Sequence, residues 1–133
     1  FCKDQSMISS NPHKRQMNKF IWPLSTTVAK WQQYTIRLGL KAKKDRDVVG
    51  SASVDFLMYS GYIVMAYFWA QMAQAAYEKL ATDVENRDFY RAKIKTAEFY
   101  FERLLPRTKS LAVTMMADPK TLMQLDEELL SFL

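Results

Sequence analysis

The sequence predicts an all-α protein, an antiparallel three-helix bundle with a short C-terminal appendage. Three observations lead there. Only three glycines and four prolines punctuate 133 residues, too few for a fold built on many tight turns. Two long stretches repeat apolar side chains at alternating spacings of three and four, which marks one face of a helix. Between them, residues 56–77 (FLMYSGYIVMAYFWAQMAQAAY) run for 22 positions without a charge.

As a helix, that run is about 33 Å long, enough to cross a bilayer. It is either a membrane span or a helix covered by protein on nearly every side. The packed reading is preferred. Ser60, Gln71, Gln74 and four tyrosines (Tyr59, Tyr62, Tyr67, Tyr77) lie within it. Tyr67, Phe68 and Trp69 sit mid-run, whereas spanning helices keep aromatic residues mainly at the two interfaces. The pattern also continues into polar helix through Glu78 and Lys79. No membrane partner is expected.

The elements follow in order. Residues 1–19 read as an irregular N-terminal segment, with Ser10 or Asn11 able to cap a helix starting at Pro12. The main helical domain is expected over residues 20–133. Its first helix carries Phe20, Leu24, Thr27, Trp31, Tyr34 and Leu38 on one face and ends near Lys43. Pro23 either begins or kinks it. Asp47 is the expected cap of the second helix, which runs to about Ala81. In it, Ala66, Ala70 and Ala73 form a row of small side chains that lets a neighbour approach closely. Phe56, Met65, Phe68, Trp69 and Met72 occupy its other faces. Asn86 signals a turn and Asp88 the cap of a third helix. That helix places Tyr90, Ile94, Ala97, Phe101, Leu104, Thr108, Leu111 and Met115 inward, and Arg91, Lys95, Glu98, Glu102 and Lys109 outward. Pro106 should kink it, leaving the Glu102 carbonyl without its usual donor. Residues 122–133, alternating leucine and acid, pack as a short turn or helix. Two short linkers imply antiparallel neighbours. The aromatic and methionine stripes read as core rather than as a cofactor box.

Little catalytic chemistry is visible. The single cysteine, Cys2, permits no intrachain disulfide, which fits a reducing cytoplasm. The single histidine, His13, lies in a basic polar stretch, so no Cys/His metal cluster or Glu-x-x-His di-iron motif can form. Gly39, Gly50 and Gly61 make no phosphate loop. No nucleophile–histidine arrangement is present. The carboxylate pairs Glu98/Glu102 and Asp126/Glu127/Glu128 read as solvated. The net charge is +5, concentrated at residues 13–15 and 41–46. Lys41, Lys43, Lys44 and Arg46 are the candidate anion or phosphate patch. The plainer account of that patch is a helix C-terminal turn, where cations suit the dipole. The chain opens on Phe1 and is expected to be a piece of a longer polypeptide.

Residues 61–80 (GYIVMAYFWAQMAQAAYEKL), 89–112 (FYRAKIKTAEFYFERLLPRTKSLA) and 122–132 (LMQLDEELLSF) together resemble the C-terminal helical extension of acyl-CoA dehydrogenases, in the branch of methylmercaptopropionyl-CoA dehydrogenase. The resemblance covers about residues 20–132. It implies a parent flavoenzyme that uses FAD to remove a proton and a hydride from the α and β carbons of an acyl-CoA thioester. It also implies that the catalytic carboxylate and the flavin contacts come from preceding domains. No catalytic, cofactor-binding or metal residue is therefore expected here. The expected role is an accessory domain that packs on those catalytic domains or at an oligomer interface, with a homo-oligomer as the expected assembly.

Tyr62, Phe68, Trp69 and Tyr100 are the candidates for residues left at that interface, because a helix apolar around most of its circumference has more surface than two neighbours cover. The alternative is a basic nucleic-acid-binding helical domain, as in the alkylation-response relative of acyl-CoA dehydrogenases. Neither basic run carries interleaved aromatic residues, so nucleic acid is the lesser expectation.

Overall fold

The structure, a computed structural model, describes residues 14–82 and 85–123. Every regular element among them is helical: α1 (Lys14–Ala42), α2 (Asp47–Leu80), α3 (Arg87–Phe99), a π turn (Tyr100–Leu104), a 3-10 turn (Leu105–Arg107), α4 (Thr108–Met115) and α5 (Lys120–Met123). The protein is all-α. Cys2, the Ser10/Asn11 cap, His13 and the acidic run Asp126–Glu128 lie outside the described residues.

Helix α1 is described from Lys14 onward, and residues 14–19 are helical rather than irregular. Met17 and Phe20 are fully buried there; each such side chain contributes roughly 1.5–3 kcal/mol on leaving water. Pro23 sits inside the helix without ending it. Proline removes a backbone donor, and its own carbonyl accepts from the hydroxyls of Thr26 at 3.0 Å and Thr27 at 2.7 Å.

Both predicted acidic caps are replaced. Asp47 is the first residue of α2, and its N–H is bonded instead by the Asp45 carboxylate at 3.0 Å. Asp88 lies within the first turn of α3 and pairs with Arg91 at 3.3 Å, while Asn86 holds the cap position without a side-chain bond. A carboxylate in the first turn still suits the helix dipole, so Asp47 one position past its cap and Asp88 two positions past its cap both remain favourable.

Helix α2 is the common partner of α1 and of the run from α3 to α4. Its buried residues are Val48, Ala52, Tyr59, Ile63, Ala66, Ala70, Ala73 and Ala76, which includes the whole predicted alanine row. Toward α1, Trp31 Nε1 donates to Ser60 Oγ at 2.9 Å and stacks on Phe56. Tyr34 meets Tyr59 edge-on, and the Tyr59 hydroxyl reaches the Thr27 carbonyl at 3.4 Å. Toward the third run, the Tyr100 hydroxyl donates to the Tyr62 carbonyl at 2.9 Å. Between α1 and the third run, Phe20 and Phe101 meet edge-to-face with centroids 5.1 Å apart, and Lys19 pairs with Glu98.

Pro106 disrupts the third run as predicted, in a specific form. The Leu105 N–H bonds the Tyr100 carbonyl, closing a π turn, and a 3-10 turn follows through Pro106. One extra residue in that turn shifts the inward face. Tyr100, Leu105 and Ala112 are buried alongside Phe101, Thr108 and Met115, although the strict 4-3 spacing left those three out. In α5, Leu122 is exposed, and the Asp118 carboxylate accepts from the Lys120 N–H at 3.0 Å.

Candidate functional site

Helix α2 is apolar on opposite sides, and only one side is covered. The alanine row faces α1 and the third run. Opposite it, Val54, Leu57, Met58, Val64, Met65, Phe68 and Met72 are exposed, with Leu57 at 71% and Phe68 at 50%. With the exposed Gly61 between Leu57 and Val64, these positions recur at three- and four-residue steps along one outer stripe. Neither this stripe nor its flanks carry a charge between residues 56 and 77. Large contiguous apolar patches of this kind mark contact sites.

This corrects two expectations. The methionine and aromatic stripes of α2 are not all core, since Met58, Met65, Phe68 and Met72 lie outside it. Nor is α2 covered on nearly every side. It is long and apolar enough to cross a membrane by length and composition, with 22% of its most apolar window buried. Two helices shield one face of a third, and nothing else in this chain is placed to shield the other among the described residues.

The four residues predicted for an interface take different places. Phe68 is on the outer stripe. Tyr62 and Trp69 are half-buried where α2 meets the third run. Tyr100 is inside, 5% exposed, with its ring 6.5 Å from that of Trp69. Burial pushes the Tyr100 hydroxyl up to about 12, and the nearby Tyr62 adds to this. Tyr100 thus serves the internal seam rather than an outer contact. The residues that sequence reading passed over, Val54, Leu57, Met58 and Val64, were recoverable as those lying half a turn from the alanine row.

The basic patch Lys41, Lys43, Lys44 and Arg46 is exposed at the turn from α1 to α2. The Lys41 carbonyl accepts from the backbone N–H groups of Lys44 at 2.9 Å and Asp45 at 3.0 Å. This is the ordinary closure of a helix C-terminus, where cations are favourable.

The carboxylate pair of the third run, Glu98 on α3 and Glu102 in the π turn, separates as well. Glu98 is held by Lys19 and, at 2.8 Å, by Lys95. Hydrogen bonds from Lys19 and then Lys95 keep its carboxyl below the ordinary glutamate value. On Lys19, burial opposes the charge but is outweighed by Glu98 and Tyr77, so its ammonium is held above its ordinary value. Glu98 is a structural anion between helices, and Glu102 is exposed. A flavin's diphosphate needs a loop of free backbone donors. Gly39 lies within α1 and Gly50 and Gly61 within α2, so the glycines among the described residues form no such loop.

Among the described residues the chain is helical, with one face of α2 covered and the other open. The family described as Acetyl-CoA dehydrogenase C-terminal like matches residues 1–126. The chain belongs to this family of acyl-CoA dehydrogenase C-terminal domains. No curated protein matches it.

Proposed function

We propose that this domain packs its outer α2 stripe on the catalytic core of an FAD-dependent acyl-CoA dehydrogenase, or on a second subunit of that enzyme, and takes no part in the chemistry. The observation that carries this reading is the uncharged, exposed row Leu57, Val64, Phe68 and Met72 on a chain of this family. The parent would oxidise acyl-CoA thioesters at the α and β carbons in the cytoplasm, as a member of the methylmercaptopropionyl-CoA dehydrogenase branch. Flavin would be held by the parent's other domains. The helix contacts support an antiparallel three-helix bundle: Lys19 lies near Tyr77, Thr27 meets Tyr59, and Trp31 meets Phe56.

A bilayer is a poorer cover for the stripe. α2 packs against α1 and α3, which carry Lys30, Arg37, Lys93 and Lys95; a span would draw such charges into hydrocarbon at several kcal/mol each. The nucleic-acid reading gains nothing from the family match.

The test is co-purification of the chain with the catalytic core of its parent. Leu57→Glu with Val64→Glu should abolish co-purification and leave helix content unchanged. Dehydrogenase turnover by this chain alone, or retention of the double variant on the core, would overturn the proposal.

A further inference from the structure

A second feature is unrelated to the outer stripe. Between α1 and the bent third run lies a cleft of about 530 Å³. The contacts that close α1 onto the third run, Lys19–Glu98 and Phe20–Phe101, lie at the N-terminal end of α1. Farther along α1 the cleft separates it from α4, and both helix-disrupting prolines, Pro23 and Pro106, line it. Its apolar lining includes Tyr34, Tyr59 and Phe101.

All its charged lining residues are cations: Lys30 and Arg37 from α1, and Lys109 from α4. None has an acidic partner among the described residues, whose ion pairs engage Lys19, Arg91 and Lys95 instead. Most hydroxyls in the lining are already committed. Thr26 and Thr27 donate to the Pro23 carbonyl, Thr108 to the Leu105 carbonyl, and Tyr59 to the Thr27 carbonyl. The donors left over are the three cations and the Tyr34 hydroxyl. Lys30 and Arg37 are two helical turns apart, about 10 Å along α1, with Lys109 on the opposite wall. One small anion cannot meet all three.

We infer that this cleft binds a small organic polyanion, a molecule with two or more negative groups set several ångströms apart on a flat or apolar body. Concentrated like charge beside an apolar wall focuses the field on the cleft and favours such a ligand over a monoanion. Its body rests on the aromatic lining while its charged ends meet Lys30, Arg37 and Lys109. The inference does not depend on the accessory role, because the cleft and the outer stripe share no residue.

Isothermal titration on the full chain at low salt tests it, with ATP as the phosphate probe, benzene-1,3,5-tricarboxylate as the carboxylate probe, and adenosine and inorganic phosphate as body-only and charge-only controls. Saturable one-to-one binding of ATP or benzene-1,3,5-tricarboxylate is expected, at least roughly tenfold tighter than either control; which probe wins identifies the anionic group. Lys30→Glu with Lys109→Glu should weaken binding at least roughly tenfold. Val113→Trp, at an exposed lining position, should block it without changing the melting temperature. Lys41→Glu with Lys44→Glu, at the α1–α2 turn, should leave affinity within twofold. Absence of saturable binding, or equal loss in the two charge-reversal pairs, would overturn the inference in favour of diffuse positive charge.

Discussion

The hydroxyl of Tyr100 donates to the backbone carbonyl of Tyr62 at 2.9 Å, joining the π turn of the third run to the middle of α2. That carbonyl belongs to a helix whose outer face is open, so the bond ties the central helix to the most irregular segment. Tyr100→Phe should destabilise the fold by about 0.5–1.5 kcal/mol at neutral pH, the net worth of such a bond. The sign of its pH dependence follows from the raised value of about 12. The folded state favours the neutral phenol, so its contribution is complete below the ordinary tyrosine value of 10 and fades as pH rises through 12. Urea midpoints at pH 8 and pH 11.5 should converge between wild type and variant at the higher pH.

Glu98 gives the opposite slope. Its carboxyl is held below the ordinary value of 4.5 by Lys19 and Lys95. Its contribution is therefore present above 4.5 and lost as pH falls through the depressed folded value. Lys19 is 44% exposed, and solvent screening limits the pair to under about 1 kcal/mol. Glu98→Gln should shift the urea midpoint slightly at pH 7 and not at pH 2. High salt should shrink the difference; a difference that persists at pH 2 would assign Glu98 a packing role instead.

Ala66 is fully buried in the seam served by the alanine row. Ala66→Leu forces extra methylenes between α2 and its neighbours and should cost about 1–3 kcal/mol. Equilibrium unfolding measures this directly. An unchanged midpoint would mean that the helices separate freely there.

Gly61 has the reverse environment. It is exposed in the interior of α2, and a Cβ there meets nothing within 4 Å. Gly61→Ala should stabilise the helix by about 0.5–1 kcal/mol. Gly61→Trp should leave the melting temperature nearly unchanged yet impede docking of the outer stripe on the dehydrogenase core. Co-purification and thermal melts of the two variants together separate helix propensity from surface shape.

The parts of the structure legible in the sequence were those set by periodicity. The α1 face from Phe20 to Leu38, the alanine row of α2 and the break at Pro106 all follow from spacing or from a missing donor. The burial of Tyr100, Leu105 and Ala112 did not, because a π turn changes the phase of a helix and no residue type announces it. The caps at Asp47 and Asp88 missed by one and two positions, since a first-turn carboxylate and a cap carboxylate gain from the same dipole. The outer stripe was harder. An uncharged run shows that every face is apolar, but which face stays open depends on how many helices arrive and on which side. The cleft was hidden for a related reason: Lys109 is distant in sequence from Lys30 and Arg37 and faces them only where α1 and α4 diverge.

The position of α2 in the chain has a consequence for biosynthesis. It leaves the ribosome after α1 and before the third run, so for an interval both of its long sides are bare except where α1 shields it. The α1–α2 hairpin, held by Trp31–Ser60 and Tyr59–Thr27, is the only protection then available from within the described chain. When the third run closes the alanine face, the outer stripe is still uncovered. Under the proposed docking, a nascent chain of this design depends on rapid capture by the dehydrogenase core, or by a chaperone, to avoid collecting other exposed apolar surfaces.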